Sequence, residues 1–176
     1  MFDEDGLAAD RRRQERSFNQ ELTEQMMRRA IELSRHGMRA GDGGPFGAVI
    51  AMGGRIVGEG WNRVVGAKDP TAHAEMEAIR AAARSLGSFT LTGCDLYASA
   101  QPCPMCLGAT YWARLDRVFY GNSVKDTAAI GFDDEVFYRQ LTCSPHQREI
   151  PEAQVLAEEA RRVFREYDAM PGTIRY

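Results

Sequence analysis

The chain has 176 residues, 44% of them hydrophobic, which is enough to bury one substantial core and fits a single domain better than two. Its net charge is −3, with 25 acidic and 22 basic residues, and this acidic balance argues against nucleic acid as a partner. No run approaches the ~20 apolar residues that span a bilayer, and the charged first residues do not resemble a signal peptide. We therefore expect a soluble, cytoplasmic protein with no membrane partner.

The predicted elements begin after a polar stretch over residues 1–17, which we expect to form a flexible arm. A first helix is predicted to follow and to end near Gly41, because apolar residues recur at helical spacing. These residues are Leu22, Met26, Met27, Ala30, Ile31 and Leu33. Two apolar runs around Gly53 and Gly54 predict a β-hairpin, and an alanine-rich stretch closed by Gly87 predicts a second helix.

The second half of the chain alternates strands and helices. A short buried strand is predicted over 94–98, a helix over 103–113 and another strand over 117–120. An apolar stripe over 155–167 predicts one more helix. This alternation requires helices packed on a sheet with at least one parallel crossover. We therefore predict an α/β fold in one domain over 18–176, a three-layer α/β/α sandwich around a mixed sheet of about five strands.

Two short motifs carry the candidate chemistry. PTAHAE at 70–75 contains His-x-Glu, and QPCPMC at 101–106 contains Pro-Cys-x-x-Cys. This pair of motifs is the signature of the zinc deaminases. One imidazole and two thiolates, from His73, Cys103 and Cys106, leave the fourth position of a tetrahedral Zn²⁺ ion open for water, as in catalytic zinc sites. The sequence therefore predicts a catalytic zinc centre.

Glu75 is the predicted acid–base residue of this centre. It would take the proton of the attacking water, pass it to a ring nitrogen and later protonate the departing amine. His73 and Glu75 are two residues apart and cannot share a face in mid-helix, so we place both in a first helical turn.

Taken singly, each feature of these motifs has a structural alternative: a Cys-x-x-Cys can be structural or redox-active, a His can be packed in the core, and a Glu can pair with the helix dipole. The joint pattern favours hydrolytic deamination.

Longer stretches of the chain resemble the bacterial guanine deaminases of the cytidine deaminase-like superfamily. The matching stretches are GGPFGAVI at 43–50, DPTAHAE at 69–75, PCPMCLGATYWAR at 102–114, GFDD at 131–134 and a C-terminal tyrosine. The resemblance covers about residues 22–176. It implies a cytidine deaminase-like fold, a Zn²⁺ cofactor, hydrolysis of guanine to xanthine and ammonia, and a homodimer.

The resemblance also implies roles for individual substrate-binding residues. Asn62 matches the asparagine that bonds the purine, Asp134 the acidic residue that recognises the base, and Phe46 an aromatic residue that lines the pocket. Ala74 is expected to offer backbone groups near the reacting atoms. Tyr176 matches a residue that the swapped C-terminal segment of a neighbouring subunit delivers to the site.

These assignments leave alternatives open. Asn62 is also compatible with a turn after the hairpin, Asp134 with a helix N-cap and Phe46 with the core. The chain also departs from the family pattern: Ala100 and Gln101 stand where many relatives have Cys-Glu, which removes a carboxylate close to the metal.

Three other functions stay open in the sequence. A relative that acts on guanosine, or on another amino-purine or a triazine, would differ only in pocket size. A tRNA adenosine deaminase would need a basic groove for an anticodon loop, which the acidic balance does not favour. A zinc-stabilised binding module without activity would have no use for Glu75 as a general base beside three metal ligands.

Overall fold

The computed structural model describes residues 20–175, which alternate helices and strands up to residue 122 and form helices beyond it. The elements are α1 (Gln20–Ala40), β1 (Gly47–Met52), β2 (Arg55–Trp61), α2 (Val64–Ala67), α3 (Ala74–Leu86), β3 (Cys94–Ala100), α4 (Pro104–Trp112), β4 (Arg117–Asn122), α5 (Val124–Ala129), α6 (Glu135–Thr142), a 3₁₀ turn (Pro145–Gln147) and α7 (Ala157–Ala169). Among the described residues, no helix is both long enough and apolar enough to cross a bilayer.

The chain divides into two compact units, Met1–Asp134 and Glu135–Tyr176. The predicted arm over residues 1–17 lies outside the described residues, and the single domain predicted over 18–176 stays a prediction. The first unit holds the sheet and the candidate site, while the second consists of α6, the 3₁₀ turn and α7.

Within residues 20–175 the strands form one mixed sheet in the order β2-β1-β3-β4. β1 is antiparallel to β2 and β3, whereas β3 and β4 are parallel and are joined through α4. The predicted mixed sheet and its parallel crossover are confirmed, with four strands in place of the expected number of about five. After β4 the chain turns into α5, because Ser123 and Asp126 form a capping box in which the Asp126 carboxylate accepts the Ser123 N–H at 2.7 Å.

The hairpin of β1 and β2 turns at the predicted pair of glycines. Gly53 and Gly54 have φ angles of 55° and 82°, so both adopt the left-handed conformation. A two-residue hairpin turn of this type needs positive φ at both positions, which glycine adopts without steric cost. The hairpin prediction is confirmed.

Helices cover both faces of the sheet. On one face α1 packs against β1 and β3, with a core of Met26, Ala30, Leu33, Val49, Ala51 and Tyr97. On the other face α3 packs against the same sheet, with a larger core that includes Ala48, Ile50, Val57, Ala78, Ala82, Leu91 and Leu96. The predicted three-layer α/β/α arrangement is confirmed in the described part of the first unit.

The backbone of α3 lies unusually close to β2. A Cβ atom added at Gly60 would lie 2.4 Å from the carbonyl oxygen of Ala74, and one added at Gly58 would lie 2.4 Å from that of Ala78. Both distances are shorter than real contacts, so only glycine fits at these two positions of the strand. This contact fixes the N-terminus of α3 against the sheet.

Candidate active site

The candidate site is built at the N-termini of α3 and α4. His73 is the N-cap residue of α3, with an extended backbone at φ −72° and ψ 156°. Cys103 is the N-cap residue of α4, at φ −64° and ψ 168°, and Pro104 follows it in the first turn. Cys106 lies one turn into α4 and is fully buried. Both predicted ligand sets therefore stand at helix starts, where the free N–H groups and the helix dipole favour thiolates.

Three potential metal ligands converge between these two helix starts. The Nδ1 atom of His73 lies 3.5 Å from the Sγ atom of Cys103 and 3.5 Å from that of Cys106. The ligand atoms of all three residues lie within 4.8 Å of one another. Around one tetrahedral ion, Zn–N and Zn–S bonds of usual length would place a nitrogen and a sulfur about 3.5 Å apart. The donor set therefore fits a single zinc ion.

The three groups also influence one another's protonation. The pKa of Cys103 is lowered to about 4, chiefly by a hydrogen bond from Cys106 and further by one with His73. The pKa of Cys106 is raised by its hydrogen bond to Cys103 and by burial, and the pKa of His73 is raised, mainly by Cys103. Cys103 is therefore a thiolate at neutral pH, and a thiolate is the form that binds metal.

Glu75 lies in the first turn of α3, beside the ligand set but not part of it. Its side chain is 7% exposed and lines a cavity next to His73 and Cys103. Burial raises the pKa of this carboxyl group, so it keeps a proton to higher pH than an exposed glutamate. A buried carboxyl group whose pKa is raised holds a proton more readily than an exposed one, which suits it to act as both acid and base.

The cavity beside these residues has a volume of about 260 Å³ and lies within the first unit. Its wall is mainly apolar, with a few polar groups. The residues that line it are Gly44, Phe46, Asn62, Val64, Val65, Pro70, His73, Glu75, Ala100, Gln101, Cys103, Thr127, Phe132 and Asp134. An apolar pocket with a few convergent polar groups is typical of a small-molecule site.

Most of the predicted substrate-binding residues meet at this cavity. Asn62 is buried, and its Oδ1 atom accepts hydrogen bonds from the N–H groups of Gly44, at 3.3 Å, and Val64, at 3.2 Å. Asn62 is thus both a turn residue and a cavity residue. Asp134 also lines the cavity, and burial raises the pKa of its carboxyl group. Ala74 is buried in the core at the start of α3 and does not line the cavity.

Several lining residues carry no recognisable motif and were not predicted to bind substrate. Others lie within the motifs and stretches quoted from the sequence, namely Gly44, Pro70 and Gln101. Phe132 belongs to GFDD, two residues before Asp134. Its ring packs edge-to-face on Phe46, with ring centroids 5.0 Å apart. Thr127 reaches the cavity only because α5 follows β4 directly. Tyr176, the remaining predicted site residue, lies outside the described residues.

A three-layer α/β/α sandwich with one histidine and two cysteines at two helix N-termini, and a buried glutamate beside them, defines a zinc-dependent hydrolytic deaminase. Residues 20–122 match the model of the cytidine and deoxycytidylate deaminase zinc-binding region. The chain belongs to this family, and zinc is its cofactor.

Individual members of the family show which deaminases this chain is similar to. The chain is 49% identical to the guanine deaminase of Bacillus subtilis (strain 168) over 136 residues, covering 77% of this chain and 87% of the relative. The X-ray structure of guanine deaminase from Bacillus subtilis matches with a TM-score of 0.85 at 44% identity, covering 90% of this chain and 99% of that chain. A tRNA-specific adenosine deaminase of Haemophilus influenzae is 42% identical over 120 residues, covering 65% of this chain and 69% of the relative. The predicted cytidine deaminase-like fold is confirmed.

Proposed function

We propose that this deaminase hydrolyses guanine: water supplies the new oxygen of xanthine, and the ring amino group leaves as ammonia. The observation that most supports this is the small cavity beside His73 and Cys103, where Glu75, Asn62 and Asp134 surround about 260 Å³. This volume suits a single heterocycle, because it is below the ~300 Å³ at which drug-sized sites begin. The similarity to the guanine deaminase of Bacillus subtilis points to the same base.

In the proposed mechanism, Glu75 handles the protons. His73, Cys103 and Cys106 would hold the zinc ion, which when bound supplies Lewis-acid activation of a water molecule. Glu75 accepts the proton of the attacking water on a carboxylate oxygen and passes it to a ring nitrogen of the base. After the oxygen has bonded to the ring carbon, the same carboxylate takes the second proton from the new hydroxyl group and donates it to the amino group, whose C–N bond breaks to release ammonia. Because Glu75 is 7% exposed, bulk water has little access to these protons.

The remaining cavity residues would orient the base. The Oδ1 atom of Asn62 is occupied by two backbone N–H groups, which leaves its amide NH₂ to donate to an acceptor atom of the purine. Asp134 would accept from the N–H groups that guanine presents on its ring and its amino group. The paired rings of Phe46 and Phe132 would cover the apolar part of the base. Ala74, whose side chain is buried in the core, would contribute only its backbone, which lies between His73 and Glu75 in the chain.

The most direct test of this function is a parallel substrate assay. Purified zinc-loaded protein would be incubated with guanine, guanosine, adenine, cytosine and cytidine, and the change in ultraviolet absorbance would be followed. We expect kcat/KM to be highest for guanine, by at least about tenfold, because the cavity has hydrogen-bonding groups for this base and the chain is similar to the guanine deaminase of Bacillus subtilis.

The other outcomes discriminate among the alternatives. A clear preference for cytidine or adenine would overturn the choice of base. Preference for guanosine, or for another amino-purine or a triazine, would mean a wider pocket than the observed cavity. Binding of tRNA at physiological salt in a gel-shift assay would favour a tRNA adenosine deaminase. Zinc-containing protein that deaminates none of these compounds would be a binding module.

We propose further that the enzyme is a homodimer in which Tyr176 reaches the site of the neighbouring subunit. The support is the second unit, where neither α6 nor α7 has a buried residue. Phe137, Leu141, Val163 and Phe164 are between 56% and 74% exposed. Apolar helix faces of this kind are stable in water when another surface covers them, and a second copy of the chain would do so.

Sedimentation velocity tests the dimer. We expect a species of twice the 19.6 kDa chain mass for the unchanged protein, and Phe164→Glu should shift the population toward monomer, because it puts a charge on the apolar face of α7. Arg162→Glu introduces the same side chain two residues away, on the opposite side of the helix, and should stay dimeric. A monomeric unchanged protein would refute the proposal.

We also place the enzyme in the cytoplasm, with residues 18–176 working as one deaminase domain. Cys103 and Cys106 must be outside disulfides to bind zinc, and none of the four cysteines, all within residues 20–175, forms a disulfide bond. The cytosol keeps thiols reduced, whereas oxidising compartments favour disulfides. Cell fractionation would test the location, and recovery of the protein in a secreted fraction would contradict it.

A further inference from the structure

Two loops form one wall of the cavity. The first, residues 42–46, supplies Gly44 and Phe46, and the second, residues 62–66, which continues into the short helix α2, supplies Asn62, Val64 and Val65. The two loops are far apart in sequence, so contacts between them must set the shape of this wall. The contacts converge on Asp42 and Asn62.

Asp42 accepts three hydrogen bonds, one from the end of β2 and two from the second loop. One oxygen of its carboxylate accepts from the indole N–H of Trp61, at 2.8 Å. Its backbone carbonyl oxygen accepts from the N–H groups of Val65, at 3.0 Å, and Gly66, at 2.9 Å. Asp42 itself does not line the cavity. Its hydrogen bonds therefore hold the lining residues in place without contact with a ligand in the cavity.

Asn62 follows Trp61 directly and connects the same loops from the cavity side. Its Oδ1 atom accepts from Gly44 and Val64, and its backbone N–H donates to the carbonyl oxygen of Phe46 at 2.9 Å. Among residues 20–175, its amide nitrogen has no hydrogen-bond partner, so the NH₂ group is available to a ligand in the cavity.

Asp42 and Asn62 are closely packed against glycines of the neighbouring backbone. A Cβ atom added at Gly43 would lie 2.0 Å from the Oδ1 atom of Asn62, and one added at Gly66 would lie 2.6 Å from a carboxylate oxygen of Asp42. The ring of Trp61 also lies close against α1, since a Cβ atom added at Gly37 would lie 2.4 Å from it. A change in the Asp42–Trp61 bond is therefore transmitted to Asn62.

We propose that Asp42 is a positioning residue for substrate binding: through Trp61 and the backbone of residues 65–66, it holds the Asn62 amide where it can donate to the purine. Asp42 makes no contact with the substrate, and the zinc ligands and Glu75 lie on α3 and α4, outside the two loops. Loss of its carboxylate weakens binding and leaves the proton transfers in place. The inference rests on the proposed function for the identity of the purine.

The test is a set of four variants with separate measurement of KM and kcat for guanine. Asp42→Ala and Trp61→Phe each remove the bond between the two residues, and each should raise KM about tenfold, on the scale of one hydrogen bond to a charged group. The double variant should be little worse than either single variant, because both remove the same bond. Asp42→Asn keeps an acceptor oxygen for the indole N–H and should restore KM. In all four, kcat should stay within about twofold of the unchanged enzyme.

Asp116→Ala is the matched control. The carboxylate of Asp116 also accepts a hydrogen bond from a backbone N–H of another loop, that of Gly93, at 2.9 Å. This bond lies next to the first residue of β3, whereas the cavity lies at the last, Ala100. The substitution should lower the melting temperature and leave KM unchanged. The proposal is overturned if Asp42→Ala has a normal KM, if its effect falls on kcat, or if the effects of Asp42→Ala and Trp61→Phe add. If the unchanged enzyme prefers another heterocycle, the proposed function fails, and the same KM comparison with that heterocycle still tests Asp42.

Discussion

Replacement of Glu75 by Gln should abolish most of the deaminase activity while leaving the zinc site intact. An amide of the same size can neither take up the water proton nor protonate the departing amine, and acid–base groups of this kind contribute about 10²–10⁴-fold to the rate. We therefore expect kcat to fall by about three orders of magnitude. Initial rates on the preferred substrate, combined with zinc analysis of the same samples, would measure both effects.

Glu77→Gln provides the matched control for this experiment. Glu77 lies on the same helix and pairs with Arg80 at the surface, at 2.8 Å, so the same chemical change occurs outside the cavity. This variant should keep both zinc and turnover. Near-normal turnover of Glu75→Gln would refute its role as the proton carrier, whereas loss of zinc from that variant would show that Glu75 supports the metal site.

Replacement of Cys103 by Ser should remove zinc and, with it, the activity. Cys103 is the ligand whose pKa is lowered to about 4, so it binds metal as a thiolate at neutral pH, and a serine hydroxyl stays protonated there. Loss of a supporting hydrogen bond around a metal site already costs about 10–100-fold in affinity, so loss of a ligand should weaken zinc binding by at least about 100-fold. Metal analysis after dialysis against a chelator, together with kcat, measures the result.

Cys143→Ser is the control for this variant. Cys143 is a free cysteine in the second unit, where its thiol donates to the carbonyl oxygen of Arg139 at 3.4 Å. Zinc content and turnover should both be unchanged in this protein. If Cys103→Ser retained one tightly bound zinc ion per chain and full activity, the assignment of the metal ligands would be wrong.

The regular elements of the first unit could be predicted from the sequence because each has a local signal. The period of apolar residues marks α1, Gly53 and Gly54 mark the hairpin, and Gly87 closes α3 as an αL cap with φ 61°. The short helices α2 and α5, of 4 and 6 residues, are too brief for a helical period to be recognised. The strand count was overestimated because the capping box that starts α5 ends the sheet region after β4.

The metal site and the cavity differ in how far the sequence could reveal them. His73, Glu75, Cys103 and Cys106 lie in two short motifs whose spacing is diagnostic, so these residues could be singled out and are found together. The cavity wall depends on loops that meet only in the folded chain. No local pattern brings Val64, Thr127 and Phe132 to the same space, and the two bonds that occupy the Asn62 oxygen follow from tertiary structure alone.

The close contact of Gly58 and Gly60 with α3 limits where this enzyme can accept substitutions. Because α3, which begins directly after His73, rests on the backbone of β2, a side chain introduced at Gly58 or Gly60 would displace the helix start that carries this metal ligand. Val65 and Phe132 line the cavity away from this contact and are 66% and 41% exposed, so their side chains can be changed with less effect on packing. Attempts to redirect the enzyme to a different heterocycle are therefore best made at such exposed lining residues, with the helix-on-strand contact and the tightly packed Asp42 and Asn62 left untouched.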